Sequence, residues 1–196
     1  MTDPPAMTYV LPDISTVGQL NREEQTEFLG HLFEPCQTLS TFVIERVLPG
    51  SFASYKQLIE AIRAELIGFL KSAEADAKAT GNPVDERISQ IIAAHPRLGG
   101  SSKATTVKLS SHSSAEQKSL QGNADETHKL IQLNDLYEMT FPGLRYVVFV
   151  NGRSRPVIME NMAQRIQKND ILAERAEAFN AMCDIAWDRA QKLGSK

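Results

Sequence analysis

The stretch Ala93–Gly100, with the sequence AAHPRLGG, ends an apolar helix and delivers one histidine to the turn that follows. Because Pro96 biases His95 away from the α region, the helix that begins near Pro83 is predicted to stop here. The helix end favours a protonated imidazole and burial favours a neutral one, so the expected pKa of His95 lies near neutrality. A lone histidine at such a place is consistent with a helix cap or with chemistry.

Apolar side chains at helical spacing run outward from this stretch in both directions and predict an all-α fold. The helix ends carry recognisable signals, among them a capping box at Asn21 and a C-terminal glycine at Gly81. The predicted helices cover residues 22–33, 36–48, 54–79, 83–94, a segment from 113, 125–139, 156–168 and 170–193. In this prediction Asn82 caps the fourth helix, and Leu136, Val157 and Leu172 face the core.

Residues 144–150 are the one segment that reads locally as a strand, because they are β-branched and aromatic. A single strand leaves its backbone groups unpaired, so we expect an extended wall with N–H and C=O groups available to a ligand. The predicted fold is a single compact bundle of about eight helices with this extended segment lining a pocket. Residues 1–14 are predicted to be an N-terminal lead-in, and residues 15–196 the domain.

Composition excludes several classes of protein. The 196 residues carry a formal net charge of -3, which gives no basic surface for nucleic acid. No apolar run approaches the length of a membrane span, and Cys36 and Cys183 occur in apolar helical contexts, so we expect a soluble intracellular protein. The sequence ends with Ser195-Lys196, one leucine short of a Ser-Lys-Leu peroxisomal signal, which makes the expected compartment peroxisomal or cytoplasmic.

Two further polar segments each allow a structural and a functional interpretation. Ser113-x-x-Glu116-Gln117 has the spacing of a capping box, which is the interpretation that the sequence alone favours. The functional interpretation is a carboxylate and an amide at a helix start, suited to an anionic or ureido ligand. The Glu34-Pro35 corner is consistent with a turn or with part of a pocket rim, and we favour the turn.

Other candidate chemistry is sparse. Arg189 lies on the inner flank of the last predicted helix, where its guanidinium either extends to solvent or clamps a carboxylate or ureido group. His31, His112 and His128 lack the spacing of metal ligands. We therefore predict no metal site and favour metal-free acid–base catalysis.

Four motifs follow one another along the chain. They are Ala94-His95-Pro96-x-Leu98-Gly99, Ser113-x-x-Glu116-Gln117 beginning eighteen residues after His95, Leu133-Asn134-x-x-Tyr137-x-x-x-Phe141, and Arg145-Tyr146-Val147-Val148-Phe149-Val150-Asn151-Gly152-Arg153. In this order and spacing they resemble the 2-oxo-4-hydroxy-4-carboxy-5-ureidoimidazoline (OHCU) decarboxylases of urate degradation. The resemblance runs from about residue 17 to 193, and the Asn-Gly-Arg of the last motif is similar to the fungal members. Phe33-Glu34 and Ile185-Ala186-x-x-Arg189 agree with it.

The resemblance implies an all-α homodimer without a cofactor that converts OHCU to (S)-allantoin. It implies that His95 and Glu116 are catalytic. It also implies a substrate-binding set formed by Pro96, Ser113, Gln117, Tyr146, Val147, Val148, Phe149, Val150 and Arg189.

The chain departs from the family pattern at Arg97, where the family often has aspartate, and at Gly99-Gly100. These departures leave open a related enzyme that acts on another ureido or imidazoline compound. A non-catalytic helical interaction module, in which His95 and Glu116 only cap helices, is the other alternative.

Overall fold

The computed structural model describes residues 9–99, 111–118 and 122–194, and within these ranges the chain contains helices and no β-strand. A short 3-10 turn over Ile14–Thr16 precedes the first α-helix. The α-helices are α1 (Arg22–Leu32), α2 (Gln37–Arg46), α3 (Tyr55–Thr80), α4 (Glu86–Ala93), α5 (Ser111–Lys118), α6 (Ala124–Thr140), α7 (Arg155–Lys168) and α8 (Ile171–Lys192). The predicted all-α class is confirmed.

The long helices α3 and α8 pack against each other at the centre of the fold. The Ser54 side chain accepts a hydrogen bond at the start of α3, and Gly81 ends this helix in the left-handed conformation, as predicted. The apolar stripe predicted for α3 is buried and consists of Leu58, Ile59, Ile62, Leu66, Phe69 and Leu70. Because isolated helices are marginally stable, the contact between these two faces stabilises both helices.

The remaining helices surround this pair and determine where the connecting segments meet. Helix α1 packs on α2 and α8, α4 packs on α2 and α8, and α6 packs on α7. The capping box predicted at Asn21 is present, since its side chain accepts from Glu24 N and the Glu24 carboxylate accepts from Asn21 N. The segments that follow α1 and α4 therefore both lie beside α8.

The predicted start of α4 is wrong. The helix begins at Glu86 rather than near Pro83, and Asp85 rather than Asn82 caps it. The Asp85 carboxylate accepts a hydrogen bond from Arg87 N at 2.9 Å and forms an ion pair with the Arg87 guanidinium at 2.7 Å. A charged cap with two interactions outweighs a proline, which only restricts φ.

Three apolar side chains predicted to face the core are exposed. Leu136 is 48% exposed, Val157 46% and Leu172 54%. In α6 and α8 a polar residue occupies the buried stripe instead. Asn134 is buried and donates to Leu98 O and Leu130 O, whereas Glu174 is buried and accepts from Tyr137. An apolar pattern misses such positions, because their partners make burial of the polar groups favourable.

The described part of the predicted lead-in contacts the bundle. Leu11 is buried, and Tyr55 donates a hydrogen bond to Pro12 O at 2.8 Å. The boundary between residues 14 and 15 stays a prediction. The segment between Leu98 and Ser111 is rich in Gly, Ser, Thr and Lys, which predicts a surface loop. Most of this segment lies outside the described residues, as does Ser195-Lys196. Along the described chain, no helix has both the length and the hydrophobicity of a membrane span.

Gly99 and Gly81 provide a matched test of the turn that follows His95. Both have positive φ, at 76° and 73°, but a Cβ on Gly99 would overlap the buried Leu130 side chain, whereas a Cβ on Gly81 would contact nothing. Gly81→Ala should lower the free energy of unfolding by about 1 kcal/mol through backbone strain alone. Gly99→Ala should lower the free energy of unfolding by about 1–3 kcal/mol more than Gly81→Ala does, because of the overlap with Leu130. Urea unfolding followed by circular dichroism measures both, and equal losses would contradict the packing described here.

Candidate active site

One cavity of about 450 Å³ collects all of the site residues predicted from the sequence. It lies between the turn after α4, helix α5, the last turns of α8 and the segment 144–150. The predicted residues that line it are His95, Pro96, Ser113, Glu116, Gln117, Tyr146, Val147, Val148, Phe149, Val150 and Arg189. Their convergence is a property of the fold, while the catalytic and binding roles assigned to them stay predictions.

His95 is the buried imidazole of this cavity, with only 5% of its surface exposed. Its backbone N–H donates to Ile92 O, and Arg145 Nη1 donates to its carbonyl oxygen at 2.8 Å, so the backbone is held on both sides. Among the described residues, no group forms a hydrogen bond with His95 Nε2. Backbone contacts therefore hold the residue in place, while Nε2 has no partner in the described part of the chain.

The expectation that His95 has a pKa near neutrality is wrong. Burial lowers the pKa of His95 to about 4. The Glu34 charge opposes this change, and the Arg189 and Arg145 charges reinforce it. Desolvation of the imidazolium outweighs the helix-end effect, so the ring is neutral at pH 7 and can accept a proton.

Arg189 is the buried cation at the centre of the site, with 2% of its surface exposed. Its Nε and Nη2 donate to the two Glu116 carboxylate oxygens at 2.8 and 2.9 Å. Its Nη1 donates to Phe33 O at 2.8 Å, and Nη2 also donates to Glu34 Oε1 at 2.8 Å. An arginine has five N–H donors, so among the described residues these contacts leave one Nη1 hydrogen for a ligand. The guanidinium binds protein carboxylates rather than extending to solvent.

Glu34 is a part of the site that the sequence interpretation missed, because a turn was favoured at the Glu34-Pro35 corner. The carboxylate is buried and lines the cavity, accepting from Arg189 and from the Ser113 hydroxyl. Burial raises the pKa of Glu34, but the Arg189 charge and the hydrogen bonds from Ser113 and Arg189 outweigh burial and hold it below its usual value. Pro35 was the available signal, since it keeps the preceding residue out of the helix.

The capping box predicted at Ser113 and Glu116 is also wrong. The described part of helix α5 covers Ser111–Lys118, so Ser113 is itself a helical residue and not the N-cap that a capping box requires. Ser113 is buried against Glu34, and the Glu116 side chain, 34% exposed, extends from Arg189 to the cavity. Gln117 Nε2 donates to Arg97 O at 3.2 Å and connects α5 to the turn after α4. The functional interpretation of this segment fits these contacts and the capping interpretation does not.

Residues 146–150 form the opposite wall. No backbone hydrogen bond is donated by these five residues within the described chain. Because successive N–H groups of an extended segment point to opposite sides, only alternate ones can face the cavity. Arg165 holds the wall from behind by donating to Val147 O at 3.3 Å. Glu174 fixes Arg165 through hydrogen bonds of 2.7 to 3.0 Å and accepts from Tyr137. A buried polar network therefore keeps the wall in place without using its outer face.

Arg97 does not line the cavity. Its guanidinium forms a bidentate contact with Glu138 at 2.8 and 2.7 Å and donates to Asp135 at 2.8 Å. The turn that carries His95 is thus fixed to α6 by a side chain that points away from the cavity.

His112 lines the cavity beside Ser113 and was not among the predicted site residues. Its Nε2 lies 3.2 Å from Nδ1 of His31 on α1. Across the described ranges, no three histidine, cysteine, aspartate or glutamate side chains form a group able to hold a metal ion. The groups that line the cavity include two imidazoles, three carboxylates, one guanidinium and the amine of Lys192.

Comparison with known proteins gives one result. A family model described as OHCU decarboxylase matches residues 18–191. A search of curated proteins gave no significant match.

The buried state of His95 predicts a specific titration. In nuclear magnetic resonance spectra of the folded protein, the ring protons of His95 should titrate with a midpoint of about 4, assigned by their disappearance in His95→Gln. In the unfolded chain His95 takes up this proton near pH 6.5. Its contribution to the free energy of unfolding is therefore fully present above pH 6.5 and is lost as the pH falls toward 4. A midpoint at or above 6.5 would contradict a desolvated imidazole.

Proposed function

The chain belongs to the OHCU decarboxylase family, and on that premise we propose how its cavity acts on the substrate. The family comprises cofactor-independent lyases that decarboxylate OHCU to allantoin in urate degradation, and this is the activity of the chain. The observation that carries the proposed mechanism is the meeting in one cavity of a neutral buried imidazole, a carboxylate held by a guanidinium, and the extended segment 146–150, which donates no backbone hydrogen bond within the described chain.

The substrate determines what the cavity has to do. The bond between the carboxylate and the hydroxyl-bearing ring carbon breaks, and carbon dioxide leaves. The electron pair of this bond forms a double bond between the hydroxyl-bearing and the ureido-bearing carbons. The electrons of the former C=N bond move to the ring nitrogen. The hydroxyl then loses its proton to become a carbonyl, and the ureido-bearing carbon gains one. An enzyme accelerates these steps by stabilising the developing charge and positioning a proton carrier.

His95 is the proton carrier in this proposal. A neutral imidazole accepts the hydroxyl proton, and its conjugate acid is strongly acidic in this cavity because burial disfavours the imidazolium. The protonated ring therefore transfers the proton readily to the ureido-bearing carbon. Since Arg145 and the hydrogen bond to Ile92 O fix the His95 backbone, the imidazole approaches the substrate from one side, and the proton reaches one face of the ring. The family resemblance implies that protonation on this face gives (S)-allantoin.

Glu116 binds the ureido N–H groups. The bidentate contact with Arg189 fixes its orientation, and its exposed third faces the cavity. Arg189 acts mainly by positioning Glu116, with one Nη1 hydrogen left for the substrate. Ser113, Gln117 and Pro96 shape the same side of the cavity.

The wall of residues 146–150 completes the proposed binding site. Its backbone N–H groups make no backbone hydrogen bonds within the described chain, so they can donate to the substrate carbonyl oxygens. Preorganised donors of this kind stabilise negative charge as it develops on the ring.

Three finer parts of the proposal rest mainly on the family resemblance. We propose a homodimer, and the exposed apolar side chains of Leu136 and Met139, three residues apart on α6, are suited to an interface. We also propose a peroxisomal or cytoplasmic location and a relation to the fungal members.

The two alternatives are not supported by the site. A helical interaction module required Glu116 to act as a helix cap, whereas Glu116 lies within α5 and binds Arg189. A different ureido substrate was suggested by Arg97 and Gly99-Gly100. Arg97 binds Glu138 and Asp135 outside the cavity, Gly99 does not line it, and Gly100 lies outside the described residues.

Kinetics on freshly generated OHCU test the roles of His95 and Glu116. His95→Asn and Glu116→Gln should each lower kcat by roughly 10²-fold or more, because each removes a group that contacts the reacting molecule. His128→Gln is the matched control, since His128 is exposed on α6 and hydrogen-bonds only to Gln132 among the described residues. Substrate loss is followed by absorbance and allantoin chirality by circular dichroism.

Near-normal kcat in a folded His95 or Glu116 variant would remove that residue from the mechanism. Racemic allantoin formed by the unaltered protein at the spontaneous rate would overturn the assignment of the activity.

A further inference from the structure

The imidazole rings of His31 and His112 are in contact at the edge of the cavity. Nδ1 of His31 lies 3.2 Å from Nε2 of His112, so one ring donates a hydrogen bond to the other. His112 lines the cavity, and His31 is a half-buried residue in the last turn of α1. The two imidazoles are therefore in contact, both are half-buried, and His112 is the one that lines the cavity.

The orientation of the pair is fixed. The ring of Tyr9 stacks on His31 with centroids 3.6 Å apart and an interplanar angle of 10°, and the rings of His31 and His112 are nearly perpendicular, at 82°. The two nitrogens of an imidazole point in roughly opposite directions. Because the inner nitrogens face each other, the outer ones, His112 Nδ1 and His31 Nε2, point away from the contact. Among the described residues neither outer nitrogen has a hydrogen-bond partner.

Both rings are suited to carry protons as neutral tautomers. Burial lowers the pKa of His112, the Arg189 and His31 charges lower it further, and Glu116 and Glu34 oppose the change. Burial also lowers the pKa of His31, and Glu27 opposes this. Within the described ranges, no third histidine, cysteine, aspartate or glutamate joins the pair.

The proposed decarboxylation requires a path by which a proton enters the cavity. When the substrate carboxylate leaves as neutral carbon dioxide, the ring nitrogen of the former C=N bond is left with an electron pair and needs one proton. The hydroxyl proton cannot meet this need, because His95 transfers it to the ureido-bearing carbon. One proton must therefore enter the cavity from water in each turnover.

We infer that His112 and His31 form the proton relay from solvent to the substrate, an inference that rests on the proposed function. His112 donates its Nδ1 proton to the ring nitrogen, His31 passes its Nδ1 proton to His112 Nε2, and water protonates His31 Nε2. Each imidazole ends as the other neutral tautomer, and exchange with water restores both after the product leaves. The substrate anion and one proton thus give allantoin and carbon dioxide. His112 is a catalytic residue in this step, and His31 acts through it.

Variants of the full chain test the relay. His31→Gln keeps a hydrogen-bonding side chain but cannot transfer a proton through a ring, so kcat for OHCU should fall about 10-fold with KM unchanged. Added imidazole should restore much of this loss, which a merely structural role of His31 would not allow. His112→Gln should lower kcat further, by roughly 10²-fold. His128→Gln should retain the kcat of the unaltered enzyme and show no response to imidazole.

A second measurement does not depend on the folding of any variant. In mixtures of H2O and D2O the kcat of the unaltered enzyme should fall along a curve, because more than one relay proton moves in the step. Three results would each overturn the relay while leaving the decarboxylase activity in place. They are a linear dependence of kcat on the D2O fraction, an unaltered kcat in His31→Gln, and a loss of kcat in His31→Gln that imidazole does not restore. An unaltered protein that does not accelerate allantoin formation would overturn the proposed function itself.

Discussion

The structure of the cavity depends on the charge of Arg189. This guanidinium is 2% exposed and binds the carboxylates of Glu34 and Glu116 together with the carbonyl oxygen of Phe33. Burying an arginine is costly unless its donors are paired, and burying Glu34 is equally costly without a cation. Each group therefore makes the burial of the other possible. The pairs connect α8, α5 and the segment after α1, which are the three elements that bring the functional side chains together.

The same constraint explains why His95 is neutral. The histidine is buried beside Glu34, whose negative charge would ordinarily favour an imidazolium, but Arg189 binds this carboxylate and adds its own positive charge nearby. Desolvation then determines the protonation state. A neutral imidazole next to bound carboxylates suits a reaction in which an anion loses carbon dioxide, because the ring can accept a proton, and its conjugate acid readily gives the proton up.

Local signals in the sequence were sufficient for most of the fold. The stripe of α3, the capping box at Asn21 and the left-handed Gly81 depend on residues within a few positions of each other, and all three were predicted. The polar interior was not predictable in this way. Arg189 and Glu34 are 155 positions apart, and Ser113 and Glu34 are 79 apart, so no local pattern shows that these groups meet. Ser113 and Glu116 had capping-box spacing, yet long-range ion pairing and burial gave them another role. Only the family motifs indicated that these segments share one site.

A double-mutant cycle between Glu34 and Arg189 tests the central claim, that each of these charges makes burial of the other possible. Arg189→Met alone should lower the free energy of unfolding by about 3–5 kcal/mol, because it leaves the Glu34 carboxylate buried without its cation. The account predicts that adding Glu34→Gln to Arg189→Met restores part of this loss, with a coupling energy of about 2 kcal/mol. Urea unfolding of the two single variants, the double variant and the unaltered protein gives this energy. Additive losses would contradict the account.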